Sequence, residues 1–195
     1  SSFLVTAKLA GIAYILAVVL GIVVGVVAAV NHGKWVDSAL MTISVFGISA
    51  PAFWIAIILQ IVICLKFNLL PLSGIDSFKS FILPGIALGT RYAASIARIT
   101  RTSMLDVLSQ DYIRTAEAKG LKGWVVTIKH ALRNALIPII TIAGSDLGNI
   151  LTGSVLVESV FSIPGIGKML VDSINTRDLP IVQGGVMYIA VICVI

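Results

Sequence analysis

Five apolar stretches, each comparable in length to a helix that crosses a bilayer, follow one another along the chain. A crossing needs about 20 apolar residues, because an α-helix rises about 1.5 Å per residue and the hydrocarbon core is about 30 Å thick. Open strands would leave backbone groups without partners in lipid, so helices are expected. The pattern predicts an all-α integral membrane protein with five transmembrane helices in this sequence. The stretches cover about residues 9–30, 38–65, 81–107, 134–157 and 179–195.

The composition supports a membrane protein rather than a soluble domain. Hydrophobic residues make up 58% of the chain and charged residues 12%, and the mean hydropathy is +1.06. Soluble domains carry about a quarter charged residues. Cys64 and Cys193 lie in apolar stretches without metal-ligand spacing, which indicates ordinary apolar packing. Because the sequence starts without methionine and ends inside an apolar stretch, we expect a fragment of a longer protein.

Basic residues are distributed unequally between the two sides that alternating spans define. The side with the loop at residues 31–37 and the segment 98–133 holds eight, and the other side holds four. Lys and Arg concentrate on the cytoplasmic side of membrane proteins, so this segment is predicted to be cytoplasmic. The net charge of +5 therefore indicates topology rather than a nucleic-acid-binding face. The eight residues are Lys34, Arg98, Arg101, Arg114, Lys119, Lys122, Lys129 and Arg133.

The cytoplasmic loop, about residues 109–133, has the pattern of a short helix that stands away from the membrane. Asp111 as N-cap and Gly120 just after the C-terminus predict about two helical turns. Ala116 and Gly120 are small, so another surface could approach the backbone closely. A second helix is predicted to begin near Trp124. The helix could dock into a groove of a soluble partner or rest as a connector on lipid headgroups.

Two stretches of this loop resemble a known family. Arg114-Thr-Ala-Glu-Ala-Lys-Gly120 and Lys129-His-Ala-Leu-Arg-Asn-Ala-Leu-Ile-Pro138 resemble the Glu-Ala-Ala loop of binding-protein-dependent ABC importer permeases. Only Ala116, Gly120 and Leu132 agree with the general pattern. The departures, including arginine in place of the first glutamate, resemble the variant of the dipeptide, oligopeptide and nickel branch.

Three further stretches resemble the same branch. They are Ile48-Ser-Ala-Pro-Ala-Phe-Trp54, Glu158-Ser-Val-Phe-Ser-Ile-Pro-Gly-Ile-Gly-Lys168 and Arg177-Asp-Leu-Pro-Ile-Val-Gln-Gly184. The resemblance covers nearly the whole chain. It implies that residues 1–195 form an ABC importer permease domain, the five-helix core of a six-span subunit.

The resemblance implies that the loop couples this chain to a cytoplasmic ATPase subunit. The chain itself would bind no cofactor and would not be an enzyme, since ATP and Mg would be bound by the partner ATPases. The sequence agrees, because it contains no Gly-x-x-x-x-Gly-Lys-Ser/Thr phosphate loop. The implied coupling residues are Asp111, Arg114, Thr115, Ala116, Glu117, Ala118, Lys119, Gly120 and Trp124.

Function and partners follow from the same resemblance. It implies import of dipeptides or oligopeptides across the inner membrane of a prokaryote, with nickel or another small solute as the alternative. The implied partners are a second, homologous permease subunit, two cytoplasmic ATPase subunits, an external substrate-binding protein and membrane lipid, with no nucleic acid.

Charged residues inside the predicted spans need protein or water around them, because a lone charge in lipid costs about 2.5–3.5 kcal/mol on insertion scales. Arg91 and Asp146 could line the translocation path and meet peptide termini, or they could pair and hold helices together. Arg98 and Arg101, nearer the cytoplasm, are expected to snorkel or to face the vestibule. Gly21 and Gly25 form a Gly-x-x-x-Gly pair, which serves ordinary helix packing or a specific dimer seam.

The external segment, about residues 158–178, interrupts the fourth span. Its stretch with Pro164, Gly165 and Gly167 is followed by a predicted short amphipathic helix. The resemblance implies an external gate that meets the binding protein, and an interfacial helix without a partner is the alternative. Glu158 has no paired group near it in sequence that would suggest acid–base chemistry.

Two functions outside transport fit the sequence less well. An aspartyl intramembrane protease needs two membrane aspartates, and only Asp146 qualifies; a serine type needs a membrane histidine, and His32 and His130 lie in cytoplasmic loops. A non-transporting membrane scaffold with the basic loop as a docking arm is the remote alternative. Stimulation of ATP hydrolysis by substrate would separate a permease from a scaffold.

Overall fold

The computed structural model describes residues 2–75 and 77–194, with side chains through residue 191. The predicted all-α fold is confirmed, since the described residues form helices and no strands. Ser1 and Ile195, the ends of the predicted domain, lie outside the described residues. The helices are α1 (Ser2–Val30), α2 (Trp35–Ser49), α3 (Ala52–Leu59), α4 (Ile82–Leu108), α5 (Asp111–Ala118), α6 (Gly123–Val125), α7 (Arg133–Val160), α8 (Ile166–Asn175) and α9 (Leu179–Val194).

Three shorter helical segments complete the list. A π-helical segment, Gln60–Lys66, extends α3, and a 3₁₀ turn, Phe78–Phe81, precedes α4. A second π-helical segment, Val126–Leu132, joins α6 to α7, so one helix runs from Gly123 to Val160. The predicted second helix of the cytoplasmic loop is therefore continuous with the fourth predicted span.

Two helices of the described part are long and apolar enough to cross a membrane: Ser2–Val30 and Gly123–Val160. A third candidate is the helix pair Trp35–Ser49 and Ala52–Lys66, which is bent by 104° at the break between its two halves. The bend falls inside the stretch predicted as the second span. Pro51 explains it, because proline offers no backbone N–H and disfavours helical geometry at the residue before it.

Helices also occupy the remaining predicted spans. The third predicted span corresponds to α4. Its arginines make it less apolar than the two helices that are apolar enough to cross a membrane. The fifth corresponds to α9, of which Leu179–Val191 forms a shorter apolar helix.

The chain forms two compact units. The first comprises residues 1–16, 50–91 and 145–195, and the second comprises residues 17–49 and 92–144. The first unit therefore contains the external segment, and the second contains the cytoplasmic loop.

In the second unit, α1 and α4 approach each other through the Gly-x-x-x-Gly pair. A Cβ placed on Gly21 would lie 2.7 Å from the Ile96 Cβ, and one placed on Gly25 would lie 2.6 Å from the Ala97 carbonyl oxygen. Neither contact leaves room for a methyl group. The pair therefore serves helix packing within this chain, the first of its two predicted alternatives.

Candidate functional site

Helix α5, at the centre of the cytoplasmic loop, ends as the sequence predicts. Gly120 adopts φ +77°, a left-handed conformation that glycine reaches without steric cost. The Gly120 N–H donates to the Glu117 carbonyl at 2.9 Å, and the Leu121 N–H donates to the Ala116 carbonyl at 3.4 Å. This pair of hydrogen bonds is a Schellman motif, which satisfies carbonyls that the helix end would otherwise leave free.

The start of α5 differs from the prediction. Gln110, with extended φ −77° and ψ 149°, is the N-cap, and Asp111 is the first helical residue, so the assignment of Asp111 as N-cap was wrong. The Gln110 side chain makes no capping hydrogen bond. Asp111 still places a carboxylate in the first turn, where its negative charge interacts favourably with the helix dipole and stabilises the helix. Its Oδ1 lies 3.8 Å from Nη1 of Arg114, in an exposed pair of small energetic weight.

One face of α5 packs against its own chain. Ile113 and Ala116 are buried, and α5 contacts the π-helical segment Val126–Leu132. Ala116 is therefore covered within its own chain, and its predicted part in a contact with another surface stays a prediction. A helix of eight residues is marginal by itself, and this packing stabilises it.

The opposite face of α5 is open. Every implied coupling residue except Ala116 is exposed, and among the described residues no heavy atom beyond the two chain neighbours lies within 4 Å of a Cβ built on Gly120. Trp124, just beyond the helix, is 68% exposed. The exposed set is Asp111, Arg114, Thr115, Glu117, Ala118, Lys119, Gly120 and Trp124.

A side-chain hydrogen bond joins α5 to the beginning of α7. The Asn134 Nδ2 donates to the Tyr112 hydroxyl oxygen at 3.1 Å and to the His130 carbonyl at 2.9 Å. Together with the buried contact at Ile113, this bond attaches α5 to the helix that continues into the membrane. A force on α5 would thus reach α7 directly.

Arg101 forms an ion pair with Asp37. Its Nε donates to Asp37 Oδ1 at 2.6 Å, and its Nη2 donates to Asp37 Oδ2 at 2.7 Å. The Gly33 N–H also donates to Asp37 Oδ2, at 3.2 Å, and His32 Nδ1 lies 3.1 Å from the same oxygen. Asp37 is 4% exposed. This cluster, the Arg101–Asp37 clamp, ties the loop at residues 31–37 to α4, seven residues before the end of that helix. The sequence offered one signal for it: both residues lie near span ends that are predicted to be cytoplasmic.

Arg91 and Asp146 do not form a salt bridge. Neither residue takes part in any ion pair between described residues. Arg91 is exposed, whereas Oδ2 of Asp146 is buried without a hydrogen-bond partner in the described part of the chain. The structure therefore shows no direct ion pair between the two, and both their pairing and their assignment to the translocation path stay predictions.

The external segment contains the predicted break and the predicted short helix. Helix α7 ends at Val160 and α8 begins at Ile166. Pro164 is exposed, while Gly165 and Gly167 are buried beside the start of α8. The role of these three residues as an external gate stays a prediction.

Glu158 has a structural role that its sequence neighbourhood did not reveal. It is fully buried, and its Oε2 accepts hydrogen bonds from the Gly167 and Lys168 N–H groups at 2.8 and 3.2 Å. Its Oε1 accepts one from the Ser154 hydroxyl at 3.0 Å. A second ionisable group would have been visible in the sequence near Glu158. Its main partners are instead backbone N–H groups nine and ten residues later, which no side-chain pattern reveals.

Residues 21–195 match the protein family described as binding-protein-dependent transport system inner membrane component. The chain belongs to this family of ABC importer permeases, and the resemblance to its dipeptide, oligopeptide and nickel branch is confirmed.

The chain is similar to bacterial permease proteins of one transport system. The glutathione transport system permease proteins GsiC of Escherichia coli strain K12, Shigella dysenteriae serotype 1 strain Sd197 and Salmonella choleraesuis strain SC-B67 are each 44% identical to this chain over 187 residues. The match covers 96% of this chain and 61% of each relative. The chain thus spans less than two thirds of the length of these relatives.

Proposed function

We propose that this chain is the permease subunit of an ATP-driven importer of short peptides, and that α5 is its contact with a cytoplasmic ATPase subunit. One observation carries the proposal: α5 is capped and fixed to its own chain on one face, while its other face is open. The GsiC relatives support the substrate class, because glutathione, which their name gives as cargo, is a tripeptide.

The exposed face of α5 suits a groove in a soluble partner. Thr115 and Ala118 are small, and Arg114, Glu117 and Lys119 place charges of both signs around them. Small residues let a groove approach the helix backbone closely, and the charges around them orient the partner. Mixed charge also favours one orientation of the partner over the reverse.

Transmission follows from how α5 is attached. The segment that supports α5 continues without interruption into α7, and α4 leads into α5 from the other side. Closure of two ATPase subunits on ATP would move α5 and, through these helices, turn the path outward; hydrolysis would reset it. This is alternating access by rigid-body motion. ATP and Mg act on the ATPase subunits, and this chain would bind neither.

The rest of the assembly is proposed from the family. A second, homologous permease would complete the path, two ATPases would lie on the cytoplasmic side with α5, and an external binding protein would meet the external segment at the exposed Pro164. The unpartnered Oδ2 of Asp146 supports its assignment to the path, where it would attract the ammonium group of a peptide. Arg91 would attract the peptide carboxylate.

The test is ATP-dependent uptake of labelled glutathione and of a labelled dipeptide into vesicles that hold the full complex, with Gly120→Asp as the variant. Aspartate tolerates the left-handed region better than most residues, and the space around a Cβ built on Gly120 is open among the described residues. The helix end should therefore survive. We expect uptake and peptide-stimulated ATP hydrolysis to fall about tenfold or more, as losing roughly 1.4 kcal/mol of contact energy predicts, while the permease pair still assembles.

Two asparagine variants separate docking from backbone strain. Gly33 adopts φ +76°, close to the +77° of Gly120, and it also has open space around a built Cβ. Gly120→Asn should impair uptake and Gly33→Asn should not. Normal uptake by both Gly120 variants would make Gly120 an ordinary helix terminator and would contradict the coupling assignment. Uptake of nickel ions rather than peptides by the unmodified complex would contradict the substrate class.

A further inference from the structure

A buried polar cluster fixes the start of α8, the helix of the external segment. The first three N–H groups of α8 have no partner inside the helix. Side chains of two other helices take all three. The Ile166 N–H donates to Thr6 Oγ1 on α1 at 2.9 Å, and the Gly167 and Lys168 N–H groups donate to Glu158 Oε2 on α7.

The glycines around this cluster set the distance between the helices. A Cβ on Gly165 would lie 2.6 Å from Thr6 Oγ1 and would collide with the Glu158 carboxylate. A Cβ on Gly167 would collide with the Val155 Cα, a backbone atom that cannot rotate away. The start of α8 can therefore dock this closely only with glycine at both positions.

Glu158 contributes more than one ordinary hydrogen bond. A carboxylate at the start of a helix interacts favourably with the helix dipole and stabilises the helix. Hydrogen bonds to a charged acceptor are also stronger than those to a neutral one. The residue is fully buried, so the docked arrangement gives its oxygens three partners that water would otherwise supply. Undocking α8 would remove two of them and free two N–H groups at the same time.

We propose that Glu158 is a positioning residue of the external gate, which holds the start of α8 against α7 so that both move as one body when the path opens. This inference rests on the proposed transport function. In this role Glu158 touches no substrate. It transmits the movement of α7 to Gly165 and Gly167, which lie beside it on the docked turn.

The test compares Glu158→Ala with Glu158→Gln in the full complex. Alanine removes all three acceptor contacts. Glutamine restores them, because its amide oxygen can accept from both N–H groups and its amide nitrogen can donate to the Ser154 hydroxyl oxygen. We expect alanine to lower the peptide imported per ATP hydrolysed about tenfold, the factor that follows from leaving buried donors unpaired. Basal ATP hydrolysis should remain, and glutamine should restore most of the ratio.

A distance measurement distinguishes positioning from folding alone. Spin labels at Leu156 on α7 and Ile174 on α8, both exposed, would report the α7–α8 distance in a complex with Cys64 and Cys193 replaced by serine. We expect one narrow distribution for the unmodified chain and for Glu158→Gln, and a broad one for Glu158→Ala. The same distribution in all three, or equal transport by all three, would overturn the proposal.

Two further variants keep the test decisive. If Glu158→Ala does not assemble, Thr6→Val removes the acceptor of the Ile166 N–H from the other side of the cluster, and it should broaden the same distribution. Gly120→Asp in parallel samples identifies the step that fails. Loss of peptide-stimulated ATP hydrolysis with a narrow α7–α8 distance distribution would show that the ATPase contact fails. A broad α7–α8 distribution with normal stimulation of ATP hydrolysis would show that positioning by Glu158 fails.

Discussion

Replacing Arg101 with alanine is expected to destabilise the permease more than removing any other single exposed or half-buried charge. The change leaves the Asp37 carboxylate, whose side chain is 5% exposed, without the guanidinium that forms two hydrogen bonds with it. Breaking a buried ion pair by removing one partner costs about 3–5 kcal/mol. The Arg101 side chain is 23% exposed, so we expect about 3 kcal/mol, measured as thermal unfolding of the complex in nanodiscs.

Two companion variants test the geometry of the Arg101–Asp37 clamp. Arg101→Lys keeps the charge but cannot form two parallel bonds, so its loss should be intermediate. Asp37→Asn combined with Arg101→Ala removes both charges and should be less destabilised than the sum of the two single changes. Additive losses would show that the two side chains do not interact in the membrane-embedded complex.

Replacing Gly25 with alanine is expected to separate α1 from α4. The new Cβ would lie 2.6 Å from the Ala97 carbonyl oxygen and would collide with the Thr100 side chain. A backbone oxygen can move only if its helix moves, so the change forces one helix away from the other. Overpacking of this kind costs about 1–3 kcal/mol, and we expect the upper end of that range in thermal unfolding of the complex.

Gly11→Ala is the matched control on the same helix. Apart from its chain neighbours and the backbone of its own helix, no described atom lies within 4 Å of a Cβ built on Gly11, so this substitution should leave the unfolding temperature nearly unchanged. If Gly25→Ala were as harmless as Gly11→Ala, the close approach of α1 and α4 would be wrong. If Gly25→Ala altered only the association of two permease subunits, Gly25 would belong to the dimer seam instead.

Local signals predicted the cytoplasmic helix well. The end of α5 could be read from Gly120, because a left-handed residue after a helix favours glycine whatever the rest of the fold does. The start was harder to place. Asp111 satisfies the preference for a capping side chain, yet Gln110 occupies the N-cap position without a capping bond. Packing of Ile113 and Ala116 on the chain outweighed that local preference.

Contacts between distant residues could not be predicted from the sequence. Arg101 and Asp37 are 64 positions apart, and Ile166 and Thr6 are 160 apart. Hydropathy places such residues at the end of a span but does not choose their partners. The same limit applies to Ala116: its small size permits a close contact, but the sequence does not show that this residue is buried within its own chain.

Family membership and local structure answer different questions about this chain. Residues 21–195 identify the permease family, and the structure shows that the face of α5 available to a partner is the one with Thr115 and Ala118. Docking through that face is the central claim about function, and it concerns a surface that can be labelled residue by residue.

The most direct measurement is photo-crosslinking from single benzophenone side chains in the assembled complex. Thr115, on the exposed face of α5, is the test position, and Met169, exposed on α8 in the external segment, is the matched control. We predict a crosslink from position 115 to an ATPase subunit, with none to an ATPase from position 169. An assembled, active complex in which position 115 yields no ATPase crosslink would contradict the assignment of α5 as the coupling helix.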